Sequence, residues 1–392
     1  MRRMLAAAAA LLLSLCGCVR NPAPVATPSP TPSPTARQEA DPLSLLTGAY
    51  LIEGGAETLE SGSYDSSLAD EAAVLVCGGT LTGTSIQIDK TGDTGDAADA
   101  LAYGYNAAIT VCSLGSAALE DALLVTNGLG AAGVFVSGEG SSATLTGGLL
   151  STAGDDSPGV VVSDGASVAL ESAEVLADGA GSPCLLVRDG ASLTAAGTRC
   201  KASSDACLSL DGASAALTNC TMIGAGLTLG GGATLRMEGG SLAAASGDAL
   251  LRAVSDASLS LVGVALELPS GGALLRVDGG TLALLCDYQS LSGTLLCGAD
   301  AALTLTLQNN SSYTGSLPVE SRLPVTLTLD ATSHWFVTGD SFLMALADTD
   351  AALQNIESNG FTVYYDAAIA TNAWLGGKTH ALPGGGSLTP LA

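Results

Sequence analysis

Asp164-Gly165-Ala166-Ser167, Asp189-Gly190-Ala191-Ser192 and Asp211-Gly212-Ala213-Ser214 are one phrase repeated at intervals of 25 and 22 residues. Asp-Gly favours a tight turn, because glycine reaches positive φ without steric cost and aspartate tolerates it. Each copy then runs into alternating apolar residues: Val168 and Leu170, Leu193 and Ala195, Ala215 and Leu217. A period of two is a strand with one inward face. With the Ser taken as anchor, looser copies extend the series through Ala118, Thr144, Thr234, Ser258, Thr281 and Ala302. Their gaps run from 20 to 26 and average 23 residues, a constant unit with variable loops.

At ~3.3 Å per residue such a unit traces about 76 Å, enough for three short strands and three turns in one closed coil. Helical repeats need about 33 residues or more and another period, and the Asn signature of leucine-rich repeats is missing. The sequence therefore predicts an all-β chain: a single-stranded right-handed parallel β-helix whose core is columns of Ala, Val, Leu and Cys stacked from coil to coil. Residues 46–330 are assigned to it. Residues 331–392 are assigned to final coils and a C-terminal aromatic cap. Trp335, Phe336, Phe342, Phe361, Tyr364, Tyr365 and Trp374 are half of the chain's fourteen aromatics, placed where a terminal coil has to cover its core and its edge. Between Thr80 and Ala118 the gap widens to 38, so about fifteen residues are inserted there. This is the least repeat-like part of the body.

Composition agrees with a repetitive β architecture. Of 392 residues 50 are Gly, aromatics make up 4% and charged residues 13%, while 47% are apolar, which excludes a disordered acidic chain. Lys plus Arg number 13 against 38 Asp plus Glu, a net charge of −25, with Lys only at Lys90, Lys201 and Lys378. Nucleic acid is thereby a poor partner, since neutralising phosphates takes clustered basic residues.

The N-terminus reads as an export signal. Met1-Arg2-Arg3 is basic and Met4 to Leu15 is an uncharged run too short to span a bilayer. Leu15-Cys16-Gly17-Cys18 follows and resembles the bacterial lipobox, which implies a signal peptide at 1–17, lipidation at Cys18 and a membrane partner through the N-terminal lipid. Cys16 departs from the usual residue of its position. Residues 18–45 carry half of the prolines and read as an extended, disordered tether. The expected location is the cell surface, lipid-anchored.

Candidate sites are sparse. Polysaccharide-cleaving β-helices need paired carboxylates, or a base beside a cation, with aromatic or basic subsites. Asp155-Asp156 is the best pair, but Gly154 and Pro158 put it in a loop between coils. His334 and His380 lie outside the repeats. No catalytic residue is assigned. Gly128-Leu129-Gly130-Ala131-Ala132-Gly133 matches a dinucleotide string but lacks the helix that would follow it, so it reads as a turn. Cys77, Cys112, Cys184, Cys200, Cys207, Cys220, Cys286 and Cys297 have no metal-ligand spacing and read as small core residues, with Cys184 and Cys207 stacked in adjacent coils. Arg188, Arg252 and Arg276 read as partners of nearby Asp residues. Asp164, Asp189, Asp211, Asp256 and Asp278, with Asp300 in the same pattern, stand just before successive anchors. If they form a ladder, they either serve turns and arginines or collect Ca²⁺ along one edge, the one cofactor contemplated.

Lys90-Thr91-Gly92-Asp93, Tyr103-Gly104-Tyr105-Asn106-Ala107-Ala108, Ser333-His334-Trp335 and Gly360-Phe361-Thr362-Val363-Tyr364-Tyr365-Asp366 together resemble adhesin-like right-handed β-helix surface proteins of anaerobic bacteria. The likeness spans residues 50 to 392. It implies fold and location, and no activity or catalytic residue comes with it. The function expected is non-catalytic binding, adhesion or presentation at the envelope, with a glycan or a host or cell-surface ligand as partner. A polysaccharide lyase or hydrolase and a passive envelope spacer are the alternatives.

Overall fold

A computed structural model describes residues 45–319 and 322–391, all within one compact unit spanning Asp41–Ala392. Cys18, the segment read as an export signal and most of the segment read as a tether lie outside the described residues. The described residues wind as a right-handed parallel β-solenoid of about 14 turns with ~24-residue coils, and only about 5% of them are helical. Its three long sheets, here I, II and III, have 11, 13 and 9 strands; up to residue 267 successive coils contribute one strand to each in turn, and beyond it a separate four-stranded sheet takes the place of sheet III.

The pairing explains why alternation was legible. In sheet I, Val134, Val160, Leu185, Leu208 and Leu227 stack as one inward column. Leu145, Leu170, Ala195, Leu217, Met237 and Leu261 do so in sheet II, and Leu124, Leu150, Val175, Cys200 and Met222 in sheet III. All are buried. Each large aliphatic side chain contributes about 1.5–3 kcal/mol on leaving water, so identical small units accumulate one continuous core.

The anchors need one correction. Ser167, Ser192, Ser214, Thr234 and Ser258 do pair in register. The series continues to Ser142 and Ser116 on one side and to Ala283 and Thr304 on the other, so Thr144, Ala118, Thr281 and Ala302 are each two residues out. A slip of two leaves the inward face unchanged, which is why alternation alone could not detect it.

The insertion is ordered. After the strand Gln87–Lys90 the chain crosses to a short helix, α1 (Ala97–Tyr103), capped at its start by Asp96, whose Oδ1 accepts from the amides of Ala98 and Asp99. Lys90 is fully buried, and its Nζ donates to the carbonyls of Leu68 (2.7 Å) and Gly92 (3.0 Å). Burial pulls its pKa down, opposed by Glu71, Asp70 and Asp93. Buried Asn106 donates from Nδ2 to the carbonyls of Gly92 (2.8 Å) and Leu129 (3.0 Å). Two motifs quoted from the sequence thus satisfy backbone carbonyls where the coil leaves its ladder, since buried polar groups need partners. Gly92 allows the close approach, because a Cβ there would stand 2.3 Å from the Leu68 oxygen.

At the far end the aromatics divide. Trp335 and Tyr365 are fully buried, with the Trp335 ring stacked 6.3 Å from that of Tyr313, whereas Phe336 and Trp374 are exposed. The last strand of sheet II, Ala345–Asp348, meets the 3-10 helix Ala370–Leu375. Asn372 Oδ1 accepts from the Leu346 amide, Asn372 Nδ2 donates to Met344 O, and Trp374 Nε1 donates to Leu346 O. Side chains there take the hydrogen bonds that another coil would otherwise supply.

Candidate functional site

α1 lies against the outward face of sheet I. Its Leu101 packs on a small second core of Ala107, Ala132, Phe135 and Val161, with Leu186. Gly104, at φ +75°, ends the helix and lets it settle there, since a Cβ would stand 2.3 Å from the Phe135 ring. From the fourth strand along, Arg188 reaches back across 87 residues of sequence and donates from Nη2 to the Leu101 carbonyl at 2.6 Å. A guanidinium at a helix C-terminus is favourably placed for both hydrogen bond and dipole.

Because α1 sits beside the turns leading from sheet I to sheet II, a cleft of about 500 Å³ is left between them. Ala102 and Tyr103 form its helical wall. Four stacked turns form the other: Ser113-Leu114, Ser137-Gly138-Glu139, Asp164, and Arg188-Asp189. Ser113, Leu114, Asp164 and Asp189 all have φ between +53° and +65°, an uncommon conformation that for a bulky residue such as Leu114 is strained. Leu114 is also 73% exposed. Asp164 Oδ2 accepts from Ser137 Oγ (2.6 Å) and Ser163 Oγ (3.0 Å), which aims the carboxylate and leaves Oδ1 without a hydrogen bond among the described residues. Arg188 Nε is buried, 3.5 Å from Asp189 Oδ2, and makes no hydrogen bond. The cleft therefore combines a phenol ring, an oriented carboxylate, two further acids and a guanidinium already held by the Leu101 carbonyl and Asp189. The outward face of sheet II has two further hollows, about 430 Å³ near Arg236 and Thr306 and about 310 Å³ near Thr82 and Thr146, lined mainly by Ser, Thr and Leu.

The acidic row is corrected by the register. Asp164 and Asp189 occupy equivalent turns. Asp211 does not join them: it pairs with Arg188, because its coil has one residue fewer at this corner. Asp278 falls in that second column, separated from Asp211 by Gly230 and Val254. Asp256 sits at the start of sheet II, where its Oδ1 accepts from the Thr281 amide at 2.7 Å. Asp300 is placed by its carbonyl, which accepts from the Gly280 amide at 3.2 Å. No five-carboxylate ladder forms, and among the described residues no three His, Cys, Asp or Glu side chains gather where they could hold a metal ion.

The arginines pair as read. Asp278 bridges Arg252 Nε and Arg276 Nε, each at 2.6 Å, and Arg276 also reaches Asp248 at 2.9 Å. These contacts, that of Arg276 first, hold the Asp278 carboxyl below the usual carboxylate range. Arg188 alone has the second role of tying α1.

Asp155 and Asp156 serve a corner, Asp155 Oδ1 accepting from the Ala180 amide at 2.8 Å while Asp156 takes φ +50°. Gly128 and Gly130 belong to the coil below, the Gly130 amide donating to Asp155 O at 2.9 Å. His334 stacks on Phe336 at 5.9 Å, and His380 Nε2 meets Leu375 O at 2.9 Å. Cys184 and Cys207 stack in adjacent coils, and Cys200 and Cys220 complete a buried group of free thiols. The Cys207 contact, then burial, pushes the Cys184 and Cys200 thiols up. Cys77 pairs directly with Cys112, whose thiol burial and Cys77 push up to about 12.

Sequence reading marked the insertion and Asp164, Asp189 and Arg188, but not that they meet. It missed Glu139, Ser137 and Leu114. One signal was present: Ser137-Gly138-Glu139-Gly140 replaces the Asp-Gly phrase one coil before Asp164.

Compared with known proteins, the chain matches no family model and none of the curated proteins. What the fold and site define is a class: a parallel β-solenoid in which an inserted helix builds a cleft against a stack of turns.

Proposed function

We propose that this is an exported, surface-held β-solenoid that binds a ligand without transforming it. The observation that carries the reading is the cleft beneath α1, where this inserted helix meets four stacked turns, one of them holding Leu114 in a strained conformation. Ligand sites are concave, few, and lined by apolar groups with a small number of oriented polar ones, and loops on a rigid scaffold carry them. Lipidation at Cys18 would hold the solenoid at the membrane with its tether as spacer, and a glycan or a host or cell-surface molecule is the partner class.

The test is a binding screen of the full chain against glycans and extracellular-matrix proteins, repeated with Tyr103→Ala. A ligand whose affinity falls with Tyr103→Ala supports the reading, and a ligand set indifferent to it removes the cleft from the function. Cys18→Ala should move the protein out of the membrane fraction. Incubation with polygalacturonate or alginate should release no unsaturated or reducing ends. Release that is lost in Asp155→Asn or Asp156→Asn would instead establish the lyase or hydrolase alternative.

A further inference from the structure

We infer that the cleft between α1 and the sheet I turns takes an amino sugar through its free, protonated amine. The inference rests on the binding reading above and deepens it by naming the ligand's chemistry. Charge gives the first argument. Glu139, Asp164 and Asp189 line the cleft against Arg188 alone, and Arg188 is already committed to the Leu101 carbonyl and to Asp189. Two carboxylates are thus left over, in a chain of net charge −25 that draws cations and repels anions.

Geometry gives the second. Two serine hydroxyls on Asp164 Oδ2 fix that carboxylate and leave Oδ1 to accept an ammonium N–H, a charge-assisted bond. The third argument separates an amino sugar from a plain amine. Tyr103 supplies a ring for the C–H face of a sugar, and about 500 Å³ admits one to two sugar rings. A free amino sugar and a de-N-acetylated glycan chain present the same group.

Calorimetric titration of the full chain at pH 6.5 and low salt decides it, with glucosamine, its β-1,4-linked oligomers, the N-acetylated oligomers and glucuronate as probes. Glucosamine or its oligomers should bind at least tenfold more tightly than the acetylated and anionic probes. If the oligomers far exceed the monomer, the source is a glycan chain; equal affinities mean the free sugar. Asp164→Asn should cost at least tenfold. It is isosteric and keeps the left-handed backbone, which asparagine tolerates, so folding is retained and is checked by circular dichroism. Glu60→Gln, the same charge change at an exposed site on sheet II, should cost nothing. Equal binding of acetylated probes, or equal losses in the two variants, overturns the inference. If acetylated sugars bind and Tyr103→Ala abolishes it, the cleft stands and the amine falls; if Tyr103→Ala affects no probe, both fall.

Discussion

The coils from Ser167 to Ser258 and the insertion from Thr91 to Ala108 solve the same problem by different means. In the regular coils the strand backbones pair in register with the coils on either side, and side chains need only be small and apolar inside. In the insertion that ladder is interrupted, and single side chains replace it: Lys90 and Asn106 for carbonyls of the crossing, Asp96 for helix amides, Arg188 for the helix end. Redundancy makes the first region tolerant and featureless. Individually committed polar residues make the second specific, and that is where the cleft lies.

The contrast is open to test. Leu193→Ala, in the middle of the sheet II core, should cost about 2–5 kcal/mol in denaturant unfolding by opening a cavity. Its effect should reach all probes of the solenoid together. Asn106→Ala should cost about 1–3 kcal/mol, because it leaves the Gly92 and Leu129 carbonyls without this donor. Here hydrogen exchange should rise at residues 91–108 and in α1 while the coils beyond Ser167 stay protected. If both variants loosen the whole chain alike, the two regions are not energetically distinct.

Acid should touch the regular coils through Asp278. Its carboxyl titrates lower in the folded protein than in the unfolded chain, so its stabilisation is complete above the unfolded value near pH ~4 and disappears as pH falls through the folded one. Since Arg252 and Arg276 are over two-fifths exposed, the amount is about 0.5–1 kcal/mol after solvent screening. Asp278→Asn should flatten the decline in unfolding free energy between pH 5 and 3 by that much; an unchanged slope would mean the bridge contributes nothing. The smallest effect belongs to Arg236→Ala, whose pair with Glu238 is 53% exposed on both sides and should change stability by no more than about 0.5 kcal/mol.

The same contrast explains what could be read from sequence. Alternation and a near-constant period are local, so the Asp-Gly-Ala-Ser phrases sufficed for the solenoid, its parallel sheets and its inward columns. Register was legible only modulo two, because face is all that alternation encodes; the outer anchors slipped for that reason. The acidic row failed for a different reason: it was counted back from sheet II, and one residue missing in the Asp211 corner, where no alternation operates, moves it into another column. The two inserted motifs were noticed as departures from the repeat, with nothing in them to show that Lys90 and Asn106 would be buried.

By itself, then, the sequence determined the β-helix, the acidic and aromatic-poor surface and the identity of the core columns, all of which depend on residues near one another in the chain. Only the tertiary structure decided that Tyr103, Glu139, Asp164 and Arg188 share a cleft. These residues lie one to four coils apart, and whether they meet depends on how many residues each intervening corner holds and on where α1 comes to rest against Phe135. A period fixes direction and face, but a site needs distances, and those accumulate only when the coils are stacked.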